Sequence, residues 1–223
     1  VVTFFDITKV VEGEIMGTLV DELNHRVRNM LQVVSAVSSH TLRRSTSLQD
    51  FGVTFTGRIA ALARAHELVS IGKWQDVLLL DLIEKELQPY AAGPDRLATR
   101  GAPVRLKPRA ALSLGMILHE MATNAAKHGA LSVDGGRVAI EWSIEGEGAA
   151  ARFVLRWLES GGPKVEAPPE RRGFGSELID RQLSYDLGGT QDTEFNAAGL
   201  RATMKMPLSV LADRDQGEAG AVT

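Results

Sequence analysis

The chain has 223 residues, 44% hydrophobic and 24% charged, an ordinary soluble composition with room for one or two domains around a real core. A formal net charge of −3 leaves no electrostatic footprint for nucleic acid or an anionic membrane, and the lack of cysteine excludes disulfides and thiolate metal sites. No apolar run approaches the roughly 20 residues of a membrane span and no signal-peptide pattern opens the chain, so neither a membrane segment nor export is expected.

Residues 1–5, VVTFF, form a β-branched and aromatic run that predicts a strand, and Asp6, Ile7 and Thr8 lead from it into a helical pattern at Lys9. Because the chain starts at Val1 rather than Met, a fragment with a further domain upstream is expected. From Met16 the apolar positions are Met16, Val20, Leu23, Val27, Met30, Val34, Val37 and Thr41, in alternating steps of four and three. That is the seam of a coiled coil or helical bundle. His25 lies between Leu23 and Val27, roughly 200° around the helix from each, so it is predicted to point away from the seam. There it is an accessible nucleophile or, in the plain alternative, a surface histidine. Ser45, Thr46 and Ser47 break the pattern and cap a second helix over about 48–70, with Phe51, Phe55, Ile59, Leu62 and Leu68 among its apolar positions. A helical hairpin of this size has too little core to stand alone and is expected to dimerise into a four-helix bundle or to pack on a neighbour.

Beyond Gly72 the pattern becomes mixed. Residues 77–90 predict an apolar strand or turn running into a helix. Residues 96–99 and 104–106 predict short strands around a turn at 101–103. A helix is expected from Pro108, then strands at 138–144 and 153–158, a helix over 176–187, and strands at 190–195 and 200–206. Helices on one face of a largely antiparallel sheet make a two-layer α/β sandwich. The fold class is therefore α+β, a helical hairpin over 9–72 followed by a sandwich over 73–210, with residues 211–223 a charged, Gly/Ala-rich tail expected to be disordered.

The stretch Leu118 to Ser132, LHEMATNAAKHGALS, carries the chemistry. On a helix it puts Ala111, Leu114, Leu118, Met121 and Ala125 on one side and Glu120, Asn124, Lys127 and His128 on the other. Carboxylate and amide oxygens suit Mg²⁺, and cationic donors suit phosphates. A solvated polar face is the plain alternative. Downstream, Trp157-Leu158-Glu159-Ser160-Gly161-Gly162 is a strand ending in a carboxylate, fit to accept from an exocyclic amine such as adenine's. Gly173-Phe174-Gly175-Ser176 leads into a helix whose N-terminus suits phosphate. No Walker pattern occurs. His40 and His66 are expected to be structural or exposed, and no histidine pair has zinc-ligand spacing.

These motifs resemble the HWE histidine kinases, a bacterial branch of the Bergerat-fold ATPases. His119 matches the histidine of the family's N box, and Trp157 with Glu159 matches the W-x-E of its first glycine box. NAAKHGALS, ESGGP and GFGSELI resemble the N box and the two glycine boxes, and LNHRVRNMLQVV resembles the phosphoacceptor box with His25 as the phosphorylated histidine. The ending FFDIT resembles the last strand of a PAS sensor, which makes residues 1–8 either a sensor remnant or a plain N-terminal strand.

The resemblance implies a cytoplasmic sensor histidine kinase using ATP and Mg²⁺, with Asn124 chelating the metal and Glu120 supporting it. Lys127 and His128 stand beside the phosphates, and Glu159 holds the adenine amine where most histidine kinases use aspartate. Gly161, Gly173, Phe174 and Gly175 shape the pocket. Arg171 and Arg172 sit in a short ATP lid or a plain charged loop. The residue after His25 is Arg26 rather than the acid common in histidine kinases, which leaves Glu22 and Asp21 as candidates for the orienting carboxylate and Asn29 as a positioning amide. The implied partners are a response-regulator receiver domain, a second copy of the chain through the hairpin, and an upstream sensor. The alternative is a histidine phosphotransferase adaptor whose kinase-like domain no longer binds ATP.

Overall fold

A computed structural model of the chain describes residues 27–28, 30–43, 45–71, 76–91, 93, 95–164, 174–196 and 199–212. The chain divides into two units between Ile59 and Ala60, inside one helix.

In the first unit, helix α1 (30–43) leads through a polar turn into α2 (Leu48–Ile71). The expected cap is present. Ser47 Oγ accepts the Asp50 N–H at 3.0 Å, while Asp50 Oδ2 accepts the Thr46 N–H at 3.0 Å, a reciprocal arrangement that satisfies donors a helix start leaves orphaned. Of the predicted seam, Val37 and Thr41 are buried and Val27 is exposed. Thr41 Oγ1 donates to the Val37 carbonyl at 2.6 Å and accepts from the buried Arg58 guanidinium at 2.9 Å, which ties the two helices together. Phe51 and Phe55, one turn apart on α2, stack with centroids 5.3 Å apart. The upstream part of the seam and His25 lie outside the described residues.

In the second unit the last turns of α2 contribute Ala61, Leu62, Ala65 and Val69 as buried residues. Strand β1 (Val77–Leu78) leads directly into α3 (Leu79–Leu87). Strands β2 (Leu97–Arg100) and β3 (Arg105–Leu106) follow, then α4 (Pro108–Lys127), which opens with proline in its first turn, where the missing N–H costs nothing. After it come β4 (Arg137–Glu145), β5 (Arg152–Ser160), α5 (Phe174–Arg181) with a π-helical turn over Gln182–Asp186, β6 (Thr190–Asn196), β7 (Gly199–Pro207) and the short α6 (Leu208–Leu211).

The main sheet has the order β2-β4-β5-β7-β6, antiparallel except for β2 beside β4. That parallel pair needs a crossover, and α4 supplies it. Period-2 alternation turns Val138, Ile140 and Trp142, then Phe153, Leu155 and Trp157, then Ala202, Met204 and Met206 inward, all buried beneath the helices. The opposite face is mixed, with the buried Val154 beside charged pairs such as Glu141 opposite Arg156 and Glu194 opposite Arg201.

The strands on either side of 101–103 diverge: β2 joins β4 in the main sheet, while β3 pairs with β1 in a separate ladder. Trp142 explains the divergence. Its Nε1 donates to the Ala102 carbonyl at 2.7 Å and its ring fills the space a side chain at Gly101 would need, so the turn drapes over the indole. One expectation needs correction: the stretch 118–132 is not helical throughout. Helix α4 ends at Lys127, and Ala130–Ser132 form a separate 3₁₀ turn. Among the described residues no helix is long and apolar enough to cross a membrane.

Candidate nucleotide site at the end of the central helix

Helix α4 is buried on nearly every side because it lies between the sheet and the layer formed by α3 and the end of α2. Glu120 is therefore 5% exposed, and the solvated-face alternative fails for it. Asn124 is half-buried one turn later, and Lys127 and His128 are exposed at the helix end. The order buried carboxylate, half-buried amide, exposed cations runs from the interior to the surface along one helix.

The helix stops where the His128 and Gly129 N–H groups both turn back to the Asn124 carbonyl, at 2.9 and 3.2 Å. The chain then meets β5. Glu159, the last inward residue of that strand, is 6% exposed, and both of its oxygens accept from the protein. Oε2 takes the Ala130 N–H at 2.7 Å, and Oε1 takes the Trp157 indole N–H at 3.0 Å. The spacing explains the second bond, because residues two apart on a strand share a face. Trp157 itself is fully buried, a rigid donor under the carboxylate. About two of the roughly four acceptor positions of the carboxylate stay available to a further donor.

Glycines allow this closeness. A Cβ at Gly129 would collide with Glu159 Oε2, and one at Gly136 with the Ala130 carbonyl. A Cβ at Gly162 would lie 2.7 Å from Ala130 Cα, and Gly161 takes φ +69° with the Gly135 carbonyl 3.0 Å from its Cβ position. The loop after α4, the start of β4 and the turn after β5 thus pack backbone on backbone.

Arg96, which the sequence reading passed over, clamps this loop. Its guanidinium donates to the carbonyls of Gly136 at 3.2 Å, Leu131 at 3.0 Å and Val133 at 3.0 Å. His119 is buried, with Nδ1 3.4 Å from both Arg64 and Tyr90 Oη. His40 and His66 are half-buried and hydrogen-bonded or paired.

The structure brings together Glu159, the Ala130 amide and the Gly129, Gly136, Gly161 and Gly162 backbone, while Glu120 and Asn124 lie on the helix that leads into this loop. Phe174 and Gly175 form the first residues of α5, two positions ahead of the helix start expected at residue 176. Gly173, Arg171, Arg172 and Asn29 lie outside the described residues, as does His25.

The chain is similar in fold to the histidine kinase domain of a blue-light activated histidine kinase from Erythrobacter litoralis, with TM-score 0.57 and 16% identity over 82% of this chain and 95% of that one. Residues 22–103 match the model of the HWE histidine kinase family. Blue-light-activated histidine kinase 1 of Erythrobacter litoralis is 37% identical over 213 residues, covering 92% of this chain and 58% of the relative. A blue-light-activated histidine kinase of Brucella anthropi is 33% identical over 206 residues, covering 92% of this chain and 42% of the relative. The chain thus carries a match to the HWE histidine kinases over residues 22–103 and is similar to blue-light-activated histidine kinases over 92% of its length. It spans about half the length of these relatives.

Proposed function

We propose that this chain is an ATP-dependent protein histidine kinase that phosphorylates its own His25 and passes the phosphoryl group to an aspartate of a response-regulator receiver domain. The observation that supports the reading is the doubly bonded Glu159 on a glycine-packed loop at the end of α4, the helix that carries the buried Glu120 and half-buried Asn124.

The donor set fits Mg²⁺. Among the described residues no group of three or more acidic or histidine side chains forms a dedicated metal cage. Mg²⁺ with a nucleotide needs none, since it prefers one or two protein oxygens together with phosphates and waters. Asn124 would ligate it and Glu120 would hold the amide or a ligated water. Bound there, the metal would neutralise charge on the phosphate oxygens. Lys127 and His128, exposed at the helix end, stand where phosphates would extend. Glu159 has acceptor capacity left for the adenine amine, and the family resemblance assigns Gly161, Gly173, Phe174 and Gly175 to the nucleotide pocket. Transfer then depends on in-line placement of the His25 imidazole, neutral and nucleophilic near pH 7.

Homodimerisation through the hairpin is part of this reading. Val27, Leu31 and Leu42 lie within about 60° of one another around α1 and remain 57%, 60% and 60% exposed beside the buried seam residues. The relatives are blue-light-activated, and a sensor acting on the hairpin supplies the corresponding input here. The test is incubation with γ-labelled ATP and Mg²⁺ followed by transfer to receiver domains: acid-labile, base-stable label on the wild type supports the kinase, and a folded chain that binds no nucleotide refutes it.

A further inference from the structure

Helix α3 buries Leu79, Leu82, Ile83, Glu86 and Leu87, the i, i+3, i+4, i+7, i+8 stripe of an amphipathic helix. Glu86 therefore occupies a core position, fully buried, where an apolar side chain is the norm. Its Oε2 accepts from Arg64 Nε at 3.2 Å and from an Arg64 terminal nitrogen at 2.6 Å, and its Oε1 has no hydrogen-bond partner among the described residues. The same Arg64 nitrogen lies 3.4 Å from His119 Nδ1. Arginine only donates, so in a hydrogen bond between the two Nδ1 is the acceptor. His119 Nδ1 is 3.9 Å from Glu86 Oε2, beyond hydrogen-bond reach, so the guanidinium is the bridge. One side chain from α2 thus joins α3 to α4.

Stability does not account for the cluster. A buried ion pair roughly breaks even against apolar residues of the same volume, and this one leaves an oxygen unsatisfied. What directional bonds provide is registry, because only one placement of the helices satisfies them. Helix α4 needs it. Where it meets α2 its surface is Gly115, and a Cβ there would lie 3.0 Å from Ala65 Cβ, a smooth contact that resists sliding poorly. His119 immediately precedes Glu120, and Asn124 follows one turn after that.

We propose that Arg64, Glu86 and His119 form a positioning device that fixes the register of α4 against α2 and α3, and that His119 is thereby a positioning residue for the Glu120–Asn124 pair. The inference rests on the nucleotide-binding reading of that pair. The test titrates the full chain with ATP in Mg²⁺ and with ATP in EDTA, for wild type, His119→Leu, His119→Asn and Arg64→Lys, with thermal melting alongside. Asparagine keeps an acceptor near the place of Nδ1, leucine removes it, and lysine keeps the charge opposite Glu86 but lacks the fork that also reaches His119. The affinity gained from Mg²⁺ is expected to shrink by about tenfold or more in His119→Leu and Arg64→Lys, the range seen when an orienting partner of a metal ligand is lost. It is expected to persist in His119→Asn, with metal-free ATP unchanged in all. An unchanged Mg²⁺ gain in folded variants, or equal loss of both forms of ATP, overturns the proposal. If His119→Leu does not fold, Arg64→Lys decides alone. A wild type that binds neither form overturns the nucleotide reading itself, and this inference with it.

Discussion

Glu159→Gln probes the join between the helix end and the strand with almost no change in shape. The carboxylate meets two donors, the Trp157 indole N–H at 3.0 Å and the Ala130 N–H at 2.7 Å. Glutamine offers one acceptor oxygen and one donor nitrogen, so in either orientation a donor faces a donor. The residue is 6% exposed, so water does not rescue the orphaned N–H. A buried unsatisfied donor costs about 1–3 kcal/mol. At a midpoint of about 2 kcal/mol and roughly 2–4 °C per kcal/mol for a chain of this size, Tm should fall by about 4–8 °C. Circular dichroism melts of both proteins, with Mg–ATP titration alongside, check this. A Tm within about 1 °C of wild type, a quarter of the smallest expected drop, would refute the two-donor arrangement.

Arg96→Ala removes the clamp on the Leu131, Val133 and Gly136 carbonyls, so amide exchange over 129–136 should accelerate while that of β5 stays protected. Unchanged exchange in the loop contradicts the clamp. Gly136→Ala drives a Cβ into the Ala130 carbonyl and should destabilise by about 3 kcal/mol. Gly135→Ala, at φ +80° with open space around it, should cost only about 1–2 kcal/mol in urea unfolding. Equal costs would contradict the packing. Burial raises the Glu86 carboxyl above its ordinary 4.5, against the opposing pull of Arg64. The folded state then holds that proton more tightly than the unfolded chain, so the contribution of Glu86 to stability is full below pH 4.5 and is lost as pH rises through the raised value. Glu86→Gln never ionises, so its stability relative to wild type should improve as pH rises above 4.5. Parallel stability curves would contradict the shift.

What the sequence made legible was whatever depends on neighbours along the chain. The strands at 138–144, 153–158, 190–195 and 200–206 lie inside β4 to β7, because alternation and the turns between strands are local signals. Trp157 and Glu159 are two residues apart, so their shared face was readable, and the Ser47 cap was written in the turn itself. Pairing between distant segments was not. Two Gly-Gly steps, 135–136 and 161–162, stand in plain sight, but only register places Gly161 beside Gly136. Arg96 reads as an ordinary strand residue until the loop it clamps folds 35 positions away. Glu86 and His119 look like surface polar residues on helices with apolar stripes, and only the packing of α2 onto α3 and α4 makes them core.

The most direct measurement is autophosphorylation with γ-labelled ATP and Mg²⁺ on the wild type, His25→Ala and Asn124→Ala. The account predicts acid-labile, base-stable label on the wild type, none on His25→Ala, and at least a hundredfold slower labelling of Asn124→Ala, on the order expected when a positioned metal ligand is lost. Label that survives in folded His25→Ala, or that resists acid, would contradict it.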